Sequence, residues 1–159
     1  MRVRRYNLEF EDGKNILVKE SSKNYPDYDT LNDAGKVADF MDNVFRAGKK
    51  SEEYVWLLAI NSKMGLNGVF EVSHGTIAET ITSPRDIFTR CLLCNAASFI
   101  LVHNHPSGSP TPSSEDFKVT RRLIEAGCIM GLPIMDHVII GNKEYFSFRE
   151  DTGLWNEKK

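Results

Sequence analysis

The segment His103-Asn104-His105-Pro106-Ser107-Gly108-Ser109-Pro110-Thr111-Pro112-Ser113-Ser114-Glu115-Asp116 concentrates the residues of this chain best suited to chemistry. Two of the four histidines stand one residue apart, a Pro/Gly/Ser-rich loop follows, and a carboxylate comes where a helix should begin. A catalytic zinc takes three protein ligands of this kind and leaves one position open for water. The apolar run Ser98-Phe99-Ile100-Leu101-Val102 ahead of the pair reads as a buried strand. If strand geometry persists to His105, the period of two puts both imidazoles on one face, and the loop can return Asp116 to them. Ser113-x-x-Asp116 also has a structural reading, because Ser followed three residues later by an acid is a capping-box-like helix start. The two roles are compatible: a carboxylate in the first turn stabilises the helix dipole and still offers an oxygen to a metal.

Strands and helices in alternation must position these groups. Residues 1–20 alternate apolar and polar around Glu11-Asp12-Gly13-Lys14, which predicts a hairpin, and a polar loop with Pro26 follows. Val37, Phe40, Met41, Val44 and Phe45 recur at helical spacing within 31–46, with Gly48 placed to end that helix. Strands are predicted over 54–60 and 66–72, joined by the Asn61–Gly65 turn. Ser83 caps a helix with Pro84 in its first turn, running to about Ala97. A further helix spans 114–126, closed by Gly127; a strand over 134–140, a turn at 141–143 and a short strand over 145–148 complete the pattern. Such an order predicts a three-layered α/β domain with a partly mixed sheet.

Composition narrows the possibilities. A chain of 159 residues with 41% hydrophobic and 26% charged residues fits one globular domain rather than a disordered chain. The net charge of -2 supplies no bulk electrostatic case for nucleic-acid binding, and the basic Arg2, Arg4, Arg5 and Lys158-Lys159 are too few to change that. No apolar run approaches the ~18 residues of a membrane span and no signal-peptide core is seen, so a cytoplasmic location is the expectation. Three cysteines do not make a disulfide framework. Cys91-x-x-Cys94 lies within a helical pattern and reads as packing. A zinc deaminase would need H-x-E followed by P-C-x-x-C, whereas here C-x-x-C comes first and lacks the proline. His74 reads as a turn residue, and Trp56 and Trp155 as packing anchors. Arg85 is a candidate to line a substrate path, and Asp136-His137 reads as structural, with hydrogen bonding to a metal ligand left open.

His-x-His, seven residues, then Ser-x-x-Asp resembles the signature of the JAMM (JAB1/MPN) metalloprotease superfamily. Within it, HNHPSGSPTPSSED, DHVIIG and TSPRDIF are similar to words of the bacterial RadC family, and the resemblance runs from about Glu53 to the C-terminus. The resemblance implies a cytidine-deaminase-like, three-layer αβα JAB/MPN domain with a mixed sheet and one catalytic zinc per chain at the sheet edge. His103, His105 and Asp116 would be its ligands, and Ser113 would stand beside the water. A glutamate entering an earlier strand is also implied. Glu53, opening Glu53-Tyr54-Val55-Trp56-Leu57-Leu58-Ala59-Ile60-Asn61, is the candidate; Glu52 would point to the opposite face, and Glu71 is a more distant rival. An ordinary solvated Glu52-Glu53 pair before a strand is the plain alternative.

The activity implied is zinc-dependent hydrolysis of peptide or isopeptide bonds in a protein or peptide substrate of unspecified identity. Glu53 would act as general base and acid, and Ser113 would hold the water or stabilise the oxyanion. The alternative is a metal-stabilised accessory or interaction module of DNA repair or mobile-element biology, without hydrolysis. RadC relatives often carry a helix-hairpin-helix module ahead of this domain, which the first 50 residues do not resemble. The expected division is a strand-like extension over 1–30 and a RadC-like JAB/MPN domain over 31–159. Direct nucleic-acid binding and oligomeric state are not specified.

Overall fold

Apolar runs at the centre of the chain become the middle strands of one seven-stranded sheet in the computed structural model, which describes residues 1–75 and 83–156. The strands are β1 (Arg2–Glu11), β2 (Lys14–Asn24), β3 (Glu53–Ile60), β4 (Leu66–Gly75), β5 (Ser98–Asn104), β6 (Ile134–Ile140) and β7 (Tyr145–Ser147). Their order is β2-β1-β4-β3-β5-β6-β7. β5 with β6 and β1 with β4 are parallel, and the other pairs are antiparallel, so the sheet is mixed. The β1–β2 hairpin turns at Asp12 (φ 49) and Gly13 (φ 79), the left-handed pair that suits a two-residue connection.

Strand periodicity divides the core. Trp56, Leu58 and Ile60 of β3 and Ile100 and Val102 of β5 face helix α1 (Ala34–Phe45), where Phe40 and Met41 are fully buried. Val55, Leu57 and Ala59 of β3 and Phe99 and Leu101 of β5 face the other way. There they meet Ile87 and Cys91 of α2 (Pro84–Leu93) and Leu123 of α3 (Ser114–Met130). Helices on both faces of a mixed sheet give the three-layer αβα architecture of a JAB/MPN-like fold. A short helix α4 (Phe148–Asp151) follows β7.

Helix ends depart from expectation for one recurring reason. Helix α1 closes at Arg46 (φ 55), not at Gly48; a Cβ on Gly48 would lie 2.8 Å from the Gly141 carbonyl oxygen. Helix α3 runs through Gly127 and closes at Gly131 (φ 64), while a Cβ on Gly127 would lie 2.8 Å from the Leu132 carbonyl oxygen. Both glycines permit close backbone approach, a different use of the same missing side chain. Helix α2 starts at Pro84 without a side-chain cap bond from Ser83 and stops at Leu93, where Asn95 (φ 55) turns the chain into β5. His74 is a strand residue of β4 rather than part of a turn, because that strand continues to Gly75. Thr82 and Lys158-Lys159 lie outside the described residues.

Candidate metal centre

The site forms at the C-terminal end of β5, beside β6 and the start of β3. His103 shares its strand face with Phe99 and Leu101, and its backbone registers with Val55 and Ile139. The next residue but one, His105, donates its N–H to the Ile140 carbonyl at 3.0 Å, which carries the alignment just past the strand end. The two Nε2 atoms come to 3.0 Å of each other. Asp116, in the first turn of α3, places Oδ1 3.3 Å from His103 Nε2 and Oδ2 3.7 Å from His105 Nε2. One ligand atom from each of the three residues lies within 4.8 Å of the others.

Ser113 makes this return possible. Its hydroxyl donates to Asp116 Oδ2 at 2.6 Å, its backbone N–H donates to the same oxygen at 2.7 Å, and the Asp116 N–H donates back to Ser113 Oγ at 3.2 Å. The capping box is therefore present, and it does more than start a helix. It ties up Oδ2 and leaves Oδ1 facing His103.

Donor and acceptor arithmetic fixes where the protons sit. The Thr120 hydroxyl is 2.6 Å from the Asp116 carbonyl oxygen, which can only accept, so the hydroxyl proton points there. Thr120 Oγ1 must then accept from His137 Nδ1 at 2.7 Å. Burial, then the neighbouring His103 and His105, hold His137 well below the ordinary histidine pKa, so it is neutral and its Nε2 carries a lone pair. That lone pair accepts from His103 Nδ1 at 2.8 Å. Burial pushes His103 down to about 4, against the pull of the Asp116 carboxylate, so it is neutral too and its Nε2 is bare. His105 Nδ1 faces the Ser109 carbonyl oxygen at 2.9 Å and must donate, which leaves its Nε2 bare when neutral. Two lone pairs and a carboxylate oxygen thus point at one another with no proton between them.

A metal cation satisfies such an arrangement. Tetrahedral ligands about 2.0–2.1 Å from a shared zinc sit roughly 3.3 Å apart, close to the spacings seen here. Imidazole with one carboxylate suits zinc better than it suits magnesium or calcium, which prefer oxygen throughout. The His103, His105 and Asp116 cluster is capable of coordinating a metal and fits zinc.

Glu53, the first residue of β3, borders this cluster. Burial raises its carboxyl above the usual glutamate value; the His105 ring opposes the shift and the Asp116 carboxylate adds to it. Glu52 is exposed and precedes the strand. Glu71 is engaged elsewhere, 2.9 Å from His74 Nδ1 and 3.9 Å from Arg5. Arg85 lines an apolar groove with Phe88, Leu92 and Met130, and that lining includes no residue of the cluster.

Residues 31–154 match the family described as the RadC-like JAB domain. The chain belongs to that family. It is 48% identical over 98 residues to the UPF0758 protein of Pelobacter propionicus, covering 62% of this chain and 43% of the relative. It is 50% identical over 97 residues to the UPF0758 protein of Syntrophomonas wolfei, covering 61% and 41% respectively. A UPF0758 protein of Clostridium novyi is 37% identical over 142 residues, 86% of this chain and 61% of the relative. The chain thus spans about half the length of the curated relatives it matches.

Two residues of this RadC-like JAB domain that sequence reasoning passed over prove central to the geometry. Asn104, buried between the two histidines, accepts the Tyr54 N–H at 2.8 Å and donates to the Glu52 carbonyl at 3.0 Å. It clamps the chain on both sides of Glu53. The signal was an amide pointing away from two imidazoles that share the other face. Thr120 is the second, and its signal was its position one helical turn after Asp116. No helix among the described residues is long and apolar enough to cross a membrane.

Proposed function

We propose that this RadC-like JAB domain is a zinc-dependent hydrolase of peptide or isopeptide bonds. The observation that carries the reading is the convergence of two bare Nε2 atoms, 3.0 Å apart, on the Asp116 carboxylate. His103, His105 and Asp116 would hold one zinc per chain. When bound, the metal would supply a Lewis acid that brings the pKa of water from about 15.7 toward about 7.

The remaining roles belong to the protein. Glu53 accepts the proton of the attacking water and passes it to the leaving nitrogen; its raised carboxyl pKa brings it closer to the value such a shuttle needs near neutral pH. Asn104 keeps Glu53 in place through the backbone on either side of it. Ser113 orients Asp116 and holds its hydroxyl 2.6 Å from Asp116 Oδ2, a donor able to turn toward the carbonyl oxygen as its carbon becomes tetrahedral. The substrate is a protein or peptide, and the proposed place of action is the cytoplasm, a placement supported by three cysteines that are all free.

The test is cleavage of a peptide library and of isopeptide-linked peptides by zinc-loaded protein, with new termini read by mass spectrometry. Glu53→Gln should retain zinc and lose about 10²–10⁴-fold in turnover. Undiminished turnover in that variant would remove Glu53 from the mechanism, and no cleavage of any amide by the wild type would overturn the reading.

A further inference from the structure

We propose that His137, held by Thr120, is a positioning residue that presets the proton of His103 and links the ligand-bearing strand to the ligand-bearing helix. The proposal rests on the metal-centre reading above and adds a device that keeps the centre open for a cation.

His137 lies on β6 in register with Leu101, two residues before His103 on the parallel neighbour β5. It is buried, with its ring 4.9 Å from that of His103 on one side and stacked at 4.9 Å and 12° on Phe148 on the other. Phe117 of α3 meets Phe148 edge-on at 5.0 Å. The ring is therefore clamped in orientation before any hydrogen bond is counted. Thr120 is fully buried below it.

The hydrogen bonds form one continuous circuit. Thr120 donates to the Asp116 carbonyl, His137 Nδ1–H donates to Thr120, and His103 Nδ1–H donates to His137 Nε2. The circuit begins at the backbone of Asp116 and ends at the ring of His103. Every proton on it points away from the cluster.

Its value lies in the alternative that it removes. With its proton on Nε2, His103 would face two ready acceptors, His105 Nε2 at 3.0 Å and Asp116 Oδ1 at 3.3 Å. The cluster would then satisfy itself with an internal hydrogen bond, and a metal would have to displace that proton. By occupying His103 Nδ1–H with a fixed acceptor, His137 makes the bare Nε2 the ground state. Thr120 is needed because without it nothing holds the His137 proton at Nδ1. His137 would then be free to turn its own N–H toward His103.

Long-range ¹H–¹⁵N correlation on the metal-free protein reads the ring protons directly. His103, His105 and His137 should each carry theirs on Nδ1. Competition with a chromophoric chelator reads zinc affinity. Thr120→Val, close in shape, and His137→Phe, which keeps the stack on Phe148, should each weaken zinc by about 10–100-fold. His137→Gln, whose side chain can again accept from His103 Nδ1–H, should recover part of the loss. A role in packing alone predicts no such recovery and no tautomer change. The proposal is overturned by a wild-type His137 protonated on Nε2, or by unchanged zinc affinity in folded Thr120→Val. If the wild type takes up no zinc the metal-centre reading fails, and the tautomer spectrum still decides the circuit.

Discussion

Cys91 of α2 and Cys94, the residue that caps that helix, pack against the same side of the sheet on which His103 stands. Both pairs offer two metal-binding atoms, yet their surroundings differ at every point. Burial pushes the Cys94 thiol up to about 11 and the Cys91 thiol further, so both stay protonated, and Cys94 spends its proton on the Cys91 carbonyl. The histidines have their outer nitrogens occupied by His137 and Ser109, their inner nitrogens bare, and a carboxylate swung in by a helix cap. Ligand atoms become a site through what holds their far side. Residue type alone does not separate the two pairs.

The contrast is sharpest at the paired side chains themselves. His105→Ala should weaken zinc by more than the 10–100-fold typical of losing an outer partner, while Cys94→Ser should leave zinc affinity unchanged by chelator competition. Equal losses in the two variants would break the comparison.

A second contrast lies in pH. His103 has a folded-state pKa of about 4, below its unfolded value of about 6.5, so the folded state binds fewer protons in that window. Stability of the metal-free protein should be full above about 6.5 and fall as pH drops through about 4. The thiols act in the opposite direction. Their folded pKa values are raised, so the folded state holds protons that the unfolded state releases, and stability should fall as pH rises above the unfolded thiol value. Denaturant titrations across pH check both limbs; a flat acid limb would mean that His103 is not buried neutral.

Smaller effects separate the clamp from the cap. Asn104→Ala leaves the Tyr54 N–H without its partner, and should cost about 1–3 kcal/mol of stability and lower turnover more than zinc affinity. Ser113→Ala removes the N-cap of α3 and should cost about 1 kcal/mol, with a modest loss of zinc as Asp116 Oδ2 loses its hydroxyl donor and keeps only the backbone N–H. Thermal unfolding and chelator competition on the same samples distinguish the two.

The clustering of His103, His105 and Asp116 was legible in the sequence because its members are local: the strand period aligned His103 with His105, and the Ser113 cap aimed Asp116. The alternating apolar runs likewise gave the layers of the fold. What was not legible depends on pairings far apart in the chain. Asn104 finds Tyr54 and Glu52 only through the β3–β5 register, and His137 finds His103 only through the parallel β5–β6 pair. Helix ends were misread at Gly48 and Gly127 because both serve contacts with distant backbone, and no local pattern distinguishes that use from a cap.

Zinc content per chain, by elemental mass spectrometry on protein purified in metal-replete medium, tests the central claim most directly. The account predicts close to one zinc per wild-type chain, retained in Cys94→Ser and lost in Asp116→Ala. A wild type without zinc, or an Asp116→Ala variant that keeps it, would contradict the account.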